Sequence, residues 1–252
     1  MIESNDKRLY NLSLIVGGGG LMGFGLFILF GTWRIIPIFT DPRAALLFDT
    51  ILCVLFFAQH SIMIRKRCKS CFCGFVNEAR YPAFYSVASG AALLFFLCLW
   101  QTTPDVAIHV RGGYFFVLRF MALVAVIGFF WGGTSLKSLD PLGLNTLKHP
   151  ESIMNEMEKP ELSVNGPYRY VRHPLYSFVI LMIWSAPYVT TDRLLFNMMF
   201  TLWIYLGAHW EEKDLTDVFG SAYEEYQKTT PMLMPSIMPY ARKFAERINR
   251  IL

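Results

Sequence analysis

Six apolar runs, each about as long as a bilayer is thick, constrain this chain more than any other feature. A crossing helix needs about 20 mostly apolar residues at a rise of 1.5 Å each. Such runs cover residues 9–30, 44–64, 84–100, 114–136, 175–191 and 194–210. In hydrocarbon a single segment can satisfy its own backbone only as a helix. The runs therefore predict an all-α, polytopic membrane protein with about six transmembrane helices. Only Thr191-Asp192-Arg193 separates the last two, which predicts a C-terminal helical hairpin followed by a short cytoplasmic tail. Pro187 is expected to bend the fifth helix. Composition agrees: 17% of residues are charged, where soluble domains average about 25%. With a mean hydropathy of +0.38, the chain fits neither a disordered segment nor one water-soluble domain.

Basic residues give the orientation. With six crossings, the N-terminus, second loop, fourth loop and tail share one side. Of the 23 lysines and arginines, all but Arg34, Arg43, Arg111, Arg119 and Arg193 fall there. The positive-inside bias then puts both termini in the cytoplasm. The first run is too long for a cleavable signal peptide. The net charge of +4 needs no nucleic-acid partner, because basic residues at helix ends face anionic lipid. Cys68, Cys71 and Cys73 cluster with Arg65-Lys66-Arg67 and Lys69 beside the second run, without a second cysteine pair. They read as reduced or acylated thiols rather than as a metal site. Gly19-x-x-x-Gly23 in the first run fits close helix packing in lipid.

The chain divides into four runs over residues 1–136 and a second part over residues 137–252. The latter holds the longest polar stretch, residues 137–174, with an acidic segment at 151–161. A loop of this length between crossings is often functional. The extreme tail, residues 240–252, has Phe244, Ile248 and Leu252 on one helical face and bases elsewhere, as in a surface-lying amphipathic helix.

Two polar groups meet at one membrane interface. Arg172-His173-Pro174 opens the fifth run and Glu211-Glu212 closes the sixth. Pro174 suits a first helical turn and biases His173 away from helical dihedrals. A tight hairpin makes these ends neighbours, with Tyr168 and Tyr176 close by. Gln59-His60-Ser61 ends the second run in the same layer. Composition alone favours a plain reading, in which Arg172 snorkels and the glutamates face water. By itself His60 reads as a packing residue.

The linked pattern resembles the isoprenylcysteine carboxyl methyltransferase superfamily. It runs Gly166-Pro167-Tyr168-x-x-x-Arg172-His173-Pro174-x-Tyr176, a hairpin, then Glu211-Glu212-x-x-Leu215-x-x-x-Phe219-Gly220-x-x-Tyr223-x-x-Tyr226 and Pro231. Phe57-Ala58-Gln59-His60-Ser61-Ile62-Met63, Asp140-x-x-Gly143-Leu144, and Ala186-Pro187 followed by Arg193-Leu194-Leu195-Phe196 are similar to the branch of methanethiol S-methyltransferases, NnrU-like proteins and nurim. One departure concerns the acceptor. The prenylcysteine enzymes carry an arginine one turn before the paired glutamates, where this chain has Gly207. That counts against a prenylcysteine carboxylate as substrate. The leucine-valine stretch ahead of the Gly-x-Tyr is kept only loosely, as Leu162-Ser163-Val164.

The resemblance implies a methyltransferase core in residues 137–252 that uses S-adenosyl-L-methionine without a Rossmann fingerprint. Leu162, Tyr168, His173, Pro174, Leu175, Tyr176 and Glu211 would then bind the cofactor. Arg172 and Glu212 would be catalytic, with His60 a candidate acceptor for a proton. Transfer of a sulfonium methyl to a thiolate neutralises both charges, which exclusion of water favours. The acceptor implied is a small lipophilic thiol, methanethiol going to dimethyl sulfide. Two other readings remain at this stage. One is methylation of another lipophilic acceptor; the other is a non-enzymatic membrane protein of the nurim or NnrU kind.

Overall fold

The computed structural model describes residues 4–65, 76–136, 139–150 and 162–235. The expectations for Lys66, Arg67, Cys68, Lys69, Cys71, Cys73, the acidic segment and the amphipathic tail lie outside the described residues. The first apolar run is one continuous rod: α1 (Ser4–Leu12), a π-helical turn (Ser13–Gly17) and α2 (Gly18–Phe30). The next three are α3 (Pro42–Ile64), α4 (Tyr81–Leu99) and α5 (Gly113–Ser135). These four are long and apolar enough to cross a membrane. Asp41 caps α3 through its side chain, which accepts from the Ala44 N–H at 3.1 Å, and Pro42 fills the first position, where no N–H is needed.

The last two runs depart from two plain spans. Helix α7 (Pro174–Trp184) has 11 residues, about 16 Å of rise. It stops before Ser185-Ala186-Pro187 rather than bending there. The chain then runs extended into β2 (Tyr188–Thr190), which pairs antiparallel with β1 (Val106–His109), Val106 opposite Thr190 and His109 opposite Tyr188. Fold expectations of helix alone therefore missed a two-stranded sheet. Helix α8 (Thr191–Phe219) has 29 residues. The Thr191-Asp192-Arg193 segment is its first turn, not a separate turn between two helices; Asp192 and Arg193 are buried. Two short helices complete the described chain: α6 (Leu144–Lys148) and α9 (Ser221–Thr229).

An aromatic core joins the rods. Phe27, Phe56, Phe96, Trp100, Phe196 and Phe200 of α2, α3, the α4 end and α8 are all buried together. Phe196 and Phe200 lie 4.3 Å apart between centroids. The rod α1–α2 meets α4 through glycine, and of the pair expected only Gly23 takes part, a Cβ there lying 3.1 Å from Leu97. A Cβ on Gly20 would lie 2.8 Å from the Gly90 carbonyl oxygen, whereas Gly19 faces open space. Helix α7 packs on α5, where the Phe178 ring and Leu175 fill the places that side chains on Gly128 and Gly132 would take.

The Asp140 motif anchors the long loop. Its carboxylate accepts from the Leu144 N–H at 2.9 Å and from the Thr146 N–H at 2.9 Å, capping α6. Gly143 has φ +66°, and a Cβ there would strike the Ala83 backbone nitrogen at 2.2 Å. Only glycine meets both demands.

Candidate functional site

Pro174 starts α7 and leaves His173 at φ −121°, ψ 65°, the non-helical region that a following proline imposes. The Arg172 and His173 amides therefore point away from α7. They donate to the carbonyls of Pro231 and Met232 at 2.9 and 3.0 Å. Ser177 Oγ adds a bond to the Leu233 carbonyl at 2.6 Å. The segment after α9 is thus strapped across the entrance to α7.

Arg172 holds this corner together. Its Nε donates to Glu212 Oε1 at 2.6 Å and Nη2 lies 2.6 Å from the same oxygen. Nη1 donates to the carbonyls of Gln227 and Thr230. Gln227 Nε2 closes the ring by donating to Glu212 Oε2 at 3.2 Å. Arg172 and Glu212 side chains are only 10% and 12% exposed. A largely buried ion pair needs this many partners to offset its desolvation. The carboxylate that Arg172 grips here is Glu212, with two backbone carbonyls beside it.

Glu211 behaves differently from its neighbour. Its side chain is 44% exposed. Tyr176 Oη donates to Oε2 at 2.8 Å, and Oε1 has no partner among the described residues. His173 is buried and stacks on Tyr176 with centroids 5.5 Å apart. Its Nδ1 lies 3.7 Å from Glu211 Oε2 and its Nε2 lies 3.3 Å from Glu212 Oε1, without hydrogen-bond alignment at Nε2. Burial lowers the His173 pKa below the ordinary imidazole value, and the two carboxylates oppose that shift only in part. Burial and the nearby Glu211 carboxylate push the Tyr168 phenol up. The Tyr168 carbonyl accepts from Tyr226 Oη.

A cavity of about 340 Å³ opens beside Glu211, within the size range of small-molecule sites. Helices α3, α7 and α8 wall it, with His60, Tyr176, Trp203, Gly207, Glu211 and Asp214 among the lining residues. Arg65 also lines it, stacked 5.0 Å over Trp210. The wall is therefore aromatic, with two carboxylates and one guanidinium.

The structure brings His60, Tyr176 and Glu211 to this cavity and sets Arg172, His173 and Glu212 directly behind it. Pro174 is buried in the first turn of α7, and Leu175 points at Gly132 of α5. Leu162 precedes a 3₁₀ turn, Gly166–Arg169, that carries Tyr168. None of Leu162, Pro174 and Leu175 is on the cavity wall. Sequence reasoning missed Trp203, Trp210, Asp214 and Gln227. The first three were open to a helical reading: Trp203, Gly207, Trp210 and Asp214 follow three- and four-residue spacing, which puts them on one face. Gln227 carried no such signal.

The NnrU protein family model matches residues 50–241. A methanethiol S-methyltransferase from a Pseudomonas species is 34% identical over 79% of this chain and 76% of its own. Methanethiol S-methyltransferase 1 of Bradyrhizobium diazoefficiens is 30% identical over 78% of this chain and 69% of its own. Mouse nurim is 27% identical over 68% of both chains. No solved structure matches the chain. With a family match that runs from the middle of α3 past α9 and takes in the whole cavity wall, the chain belongs to the NnrU family.

Proposed function

We propose that this chain is an integral-membrane methyltransferase that uses S-adenosyl-L-methionine and methylates a small thiol. The observation that carries the reading is the half-exposed Glu211 carboxylate on the cavity wall, with one oxygen fixed by Tyr176. The named activity of relatives that align over most of the chain supports it.

The donor set fits the cofactor. Glu211 and Asp214 offer acceptors for hydroxyl and amino groups, and carboxylate hydrogen bonds of this kind are charge-assisted. Trp203, Trp210 and Tyr176 offer ring faces to a cation. Arg65 offers a partner for a carboxylate. When bound, S-adenosyl-L-methionine supplies an electrophilic methyl group on a sulfonium centre. Tyr176 fixes the rotamer of Glu211. Arg172 and Glu212 hold the strap and α9 against α7, so that the cavity keeps its shape and bulk water is kept from its rear wall. His173 stays neutral behind Tyr176 and supports that ring by stacking. His60, across the cavity on α3, is placed to take the proton of an acceptor thiol.

The wall carries no cation at Gly207, where a Cβ would meet nothing within 4 Å. That suits an uncharged alkyl thiol better than a substrate carboxylate. In the bilayer, α7 with the extended segment to Thr190 makes the fifth crossing and α8 the sixth, with both termini cytoplasmic.

The test is headspace analysis of membranes containing the chain, supplied with methanethiol and methyl-labelled cofactor. Labelled dimethyl sulfide above that of control membranes is expected. No label in the headspace, with full-length protein in the membrane, would remove the thiol assignment.

A further inference from the structure

A second cavity, of about 510 Å³, opens on another face of α8. His209, Lys213, Thr216 and Asp217 form its α8 rim, and Glu212 and Gln227 reach it from the Arg172 network. The methyl-transfer reading uses neither Lys213 nor Asp217. Both are exposed, and among the described residues neither side chain has an ion-pair partner. They stand four residues apart, about 6 Å along the helix. The cavity therefore offers a free cation and a free carboxylate side by side. His209, whose ring centroid lies 5.6 Å from that of Tyr205, adds a ring N–H in either tautomer.

The same stripe of α8 is apolar on the other side of His209. Leu202, Tyr205 and Leu206 are large and exposed. Residues 202, 206, 209, 213 and 216 follow the three- and four-residue spacing of one helix face. Followed from Leu202 to Asp217, the stripe passes from apolar side chains to an aromatic pair, then to a cation, then to a carboxylate. A zwitterionic phospholipid has the complementary order: acyl chains, a phosphate, then an ammonium.

We infer that this cavity holds the headgroup of a phospholipid with a primary ammonium, phosphatidylethanolamine. Lys213 and His209 take the phosphate, Asp217 takes the ammonium, and the acyl chains lie along Leu202 and Leu206. The buried Glu212 adds negative charge on the ammonium side, although its two oxygens already accept from Arg172 and Gln227. A choline headgroup would bring the positive charge without N–H donors, and a glycerol headgroup would bring no cation. Charge-assisted hydrogen bonds to Asp217 therefore select ethanolamine over both. The site rests on the proposed crossing of α8 and is independent of methyl transfer.

The experiment is native mass spectrometry of the full-length protein released from detergent micelles. Phosphatidylethanolamine, phosphatidylcholine and phosphatidylglycerol with identical chains are added at equal concentration. The wild type is expected to retain the ethanolamine lipid about three- to fivefold more than the other two, the size of a partly exposed ionic contact. Lys213→Gln should weaken retention of all three lipids by a similar factor. Asp217→Asn should remove the ethanolamine preference and leave phosphatidylcholine retention unchanged. Equal retention of the three by the wild type, a preference that survives Asp217→Asn, or unchanged retention in Lys213→Gln overturns the inference. Glycerophosphoethanolamine, the headgroup without chains, should leave the bound lipid in place at matched concentration. Displacement would replace the lipid by a soluble phosphoester and overturn the assignment. If a variant fails to fold, the wild-type headgroup series decides alone. The crossing is checked separately: Leu202→Cys in opened membranes should escape a water-soluble maleimide, and labelling would remove the crossing and this site together. Failure of the proposed methyl transfer has a different signature, an absence of labelled product while lipid retention is intact.

Discussion

The two ends of α8 carry charged and polar side chains about 30 Å apart along one rod, yet they are treated in opposite ways. At the first turn Asp192 and Arg193 are buried and paired. Arg193 donates to the carbonyls of Phe27 and Ile28 at 2.7 and 2.6 Å, and to Asn197 Oδ1 at 3.1 Å. Those carbonyls belong to the last turn of α2, where the Gly31 N–H also reaches that of Phe27 at 3.2 Å and the helix offers few further donors. Asp192 accepts from the Trp100 indole at 3.1 Å and from the Thr103 amide at 3.0 Å. Gln101 binds the Leu99 and Ile36 carbonyls and the Ile38 and Phe39 amides. About five turns later Glu211 keeps an unpaired oxygen and borders a cavity. The lesson is that charge near the membrane marks structure where every partner is protein, and marks chemistry where a partner is missing. Both ends share the same helix and the same aromatic core, so the contrast is one of hydrogen-bond completeness rather than of location.

The largest expected effect breaks the closed end. Arg193→Ala strands the Ile28 carbonyl, takes one of two donors from that of Phe27 and leaves Asp192 without its neighbouring cation. Losing one member of such a buried network costs about 3–5 kcal/mol. Thermal unfolding in detergent should drop sharply and the yield of folded protein should fall. Little change would mean that this end is not the lock described.

At the open end the effect should fall on function instead. Glu211→Gln keeps the shape but loses a charged acceptor, worth about 1.5–3 kcal/mol, or about 10- to 150-fold in cofactor affinity. Its unfolding temperature should stay within a degree or two of the wild type. A variant that unfolds early while binding normally would reverse the comparison. Arg172→Ala sits between the two. It should abolish methylation and also loosen α9, which protease sensitivity after α8 would report.

A pH effect of intermediate size follows from His173. Its folded pKa is lowered by burial, so above about pH 6.5, the unfolded value, its neutral form is present in both states. As pH falls below that value the unfolded chain takes up the proton first, and stability is lost toward the folded pKa. The wild type should therefore lose stability on acidification more steeply than His173→Gln, measured as the pH dependence of the unfolding temperature. Equal slopes would place the titration elsewhere. The smallest effect concerns Gly207. Gly207→Ala should add helix stability of about 0.5–1 kcal/mol while disfavouring thiols larger than methanethiol, as seen in a chain-length series of acceptors.

The four long helices were legible because each is an unbroken apolar run that needs no distant partner to be recognised. The neighbourhood of Arg172 and Glu212 was legible too, since a return of the chain forces those ends together. Thr191-Asp192-Arg193 reads in the sequence as the turn of a hairpin, whereas it is the first turn of α8 with Asp192 and Arg193 buried. Their partners, the Phe27 and Ile28 carbonyls and Trp100, lie about 90 to 165 positions away, and no local pattern announces them. The β1–β2 pair was invisible for the same reason: Val106–His109 and Tyr188–Thr190 are short and become strands only through each other. The grip of Arg172 on the Gln227 and Thr230 carbonyls depends on backbone atoms, which leave no mark in side-chain spacing.

The central claim is that Glu211 and Tyr176 line a binding pocket for a methyl-bearing sulfonium cofactor. Calorimetric titration of purified wild-type and Glu211→Gln protein with S-adenosyl-L-methionine tests it most directly. Saturable binding by the wild type, weakened at least tenfold in the variant, is the predicted result. No binding by folded wild-type protein, or equal affinity in the two, would contradict it.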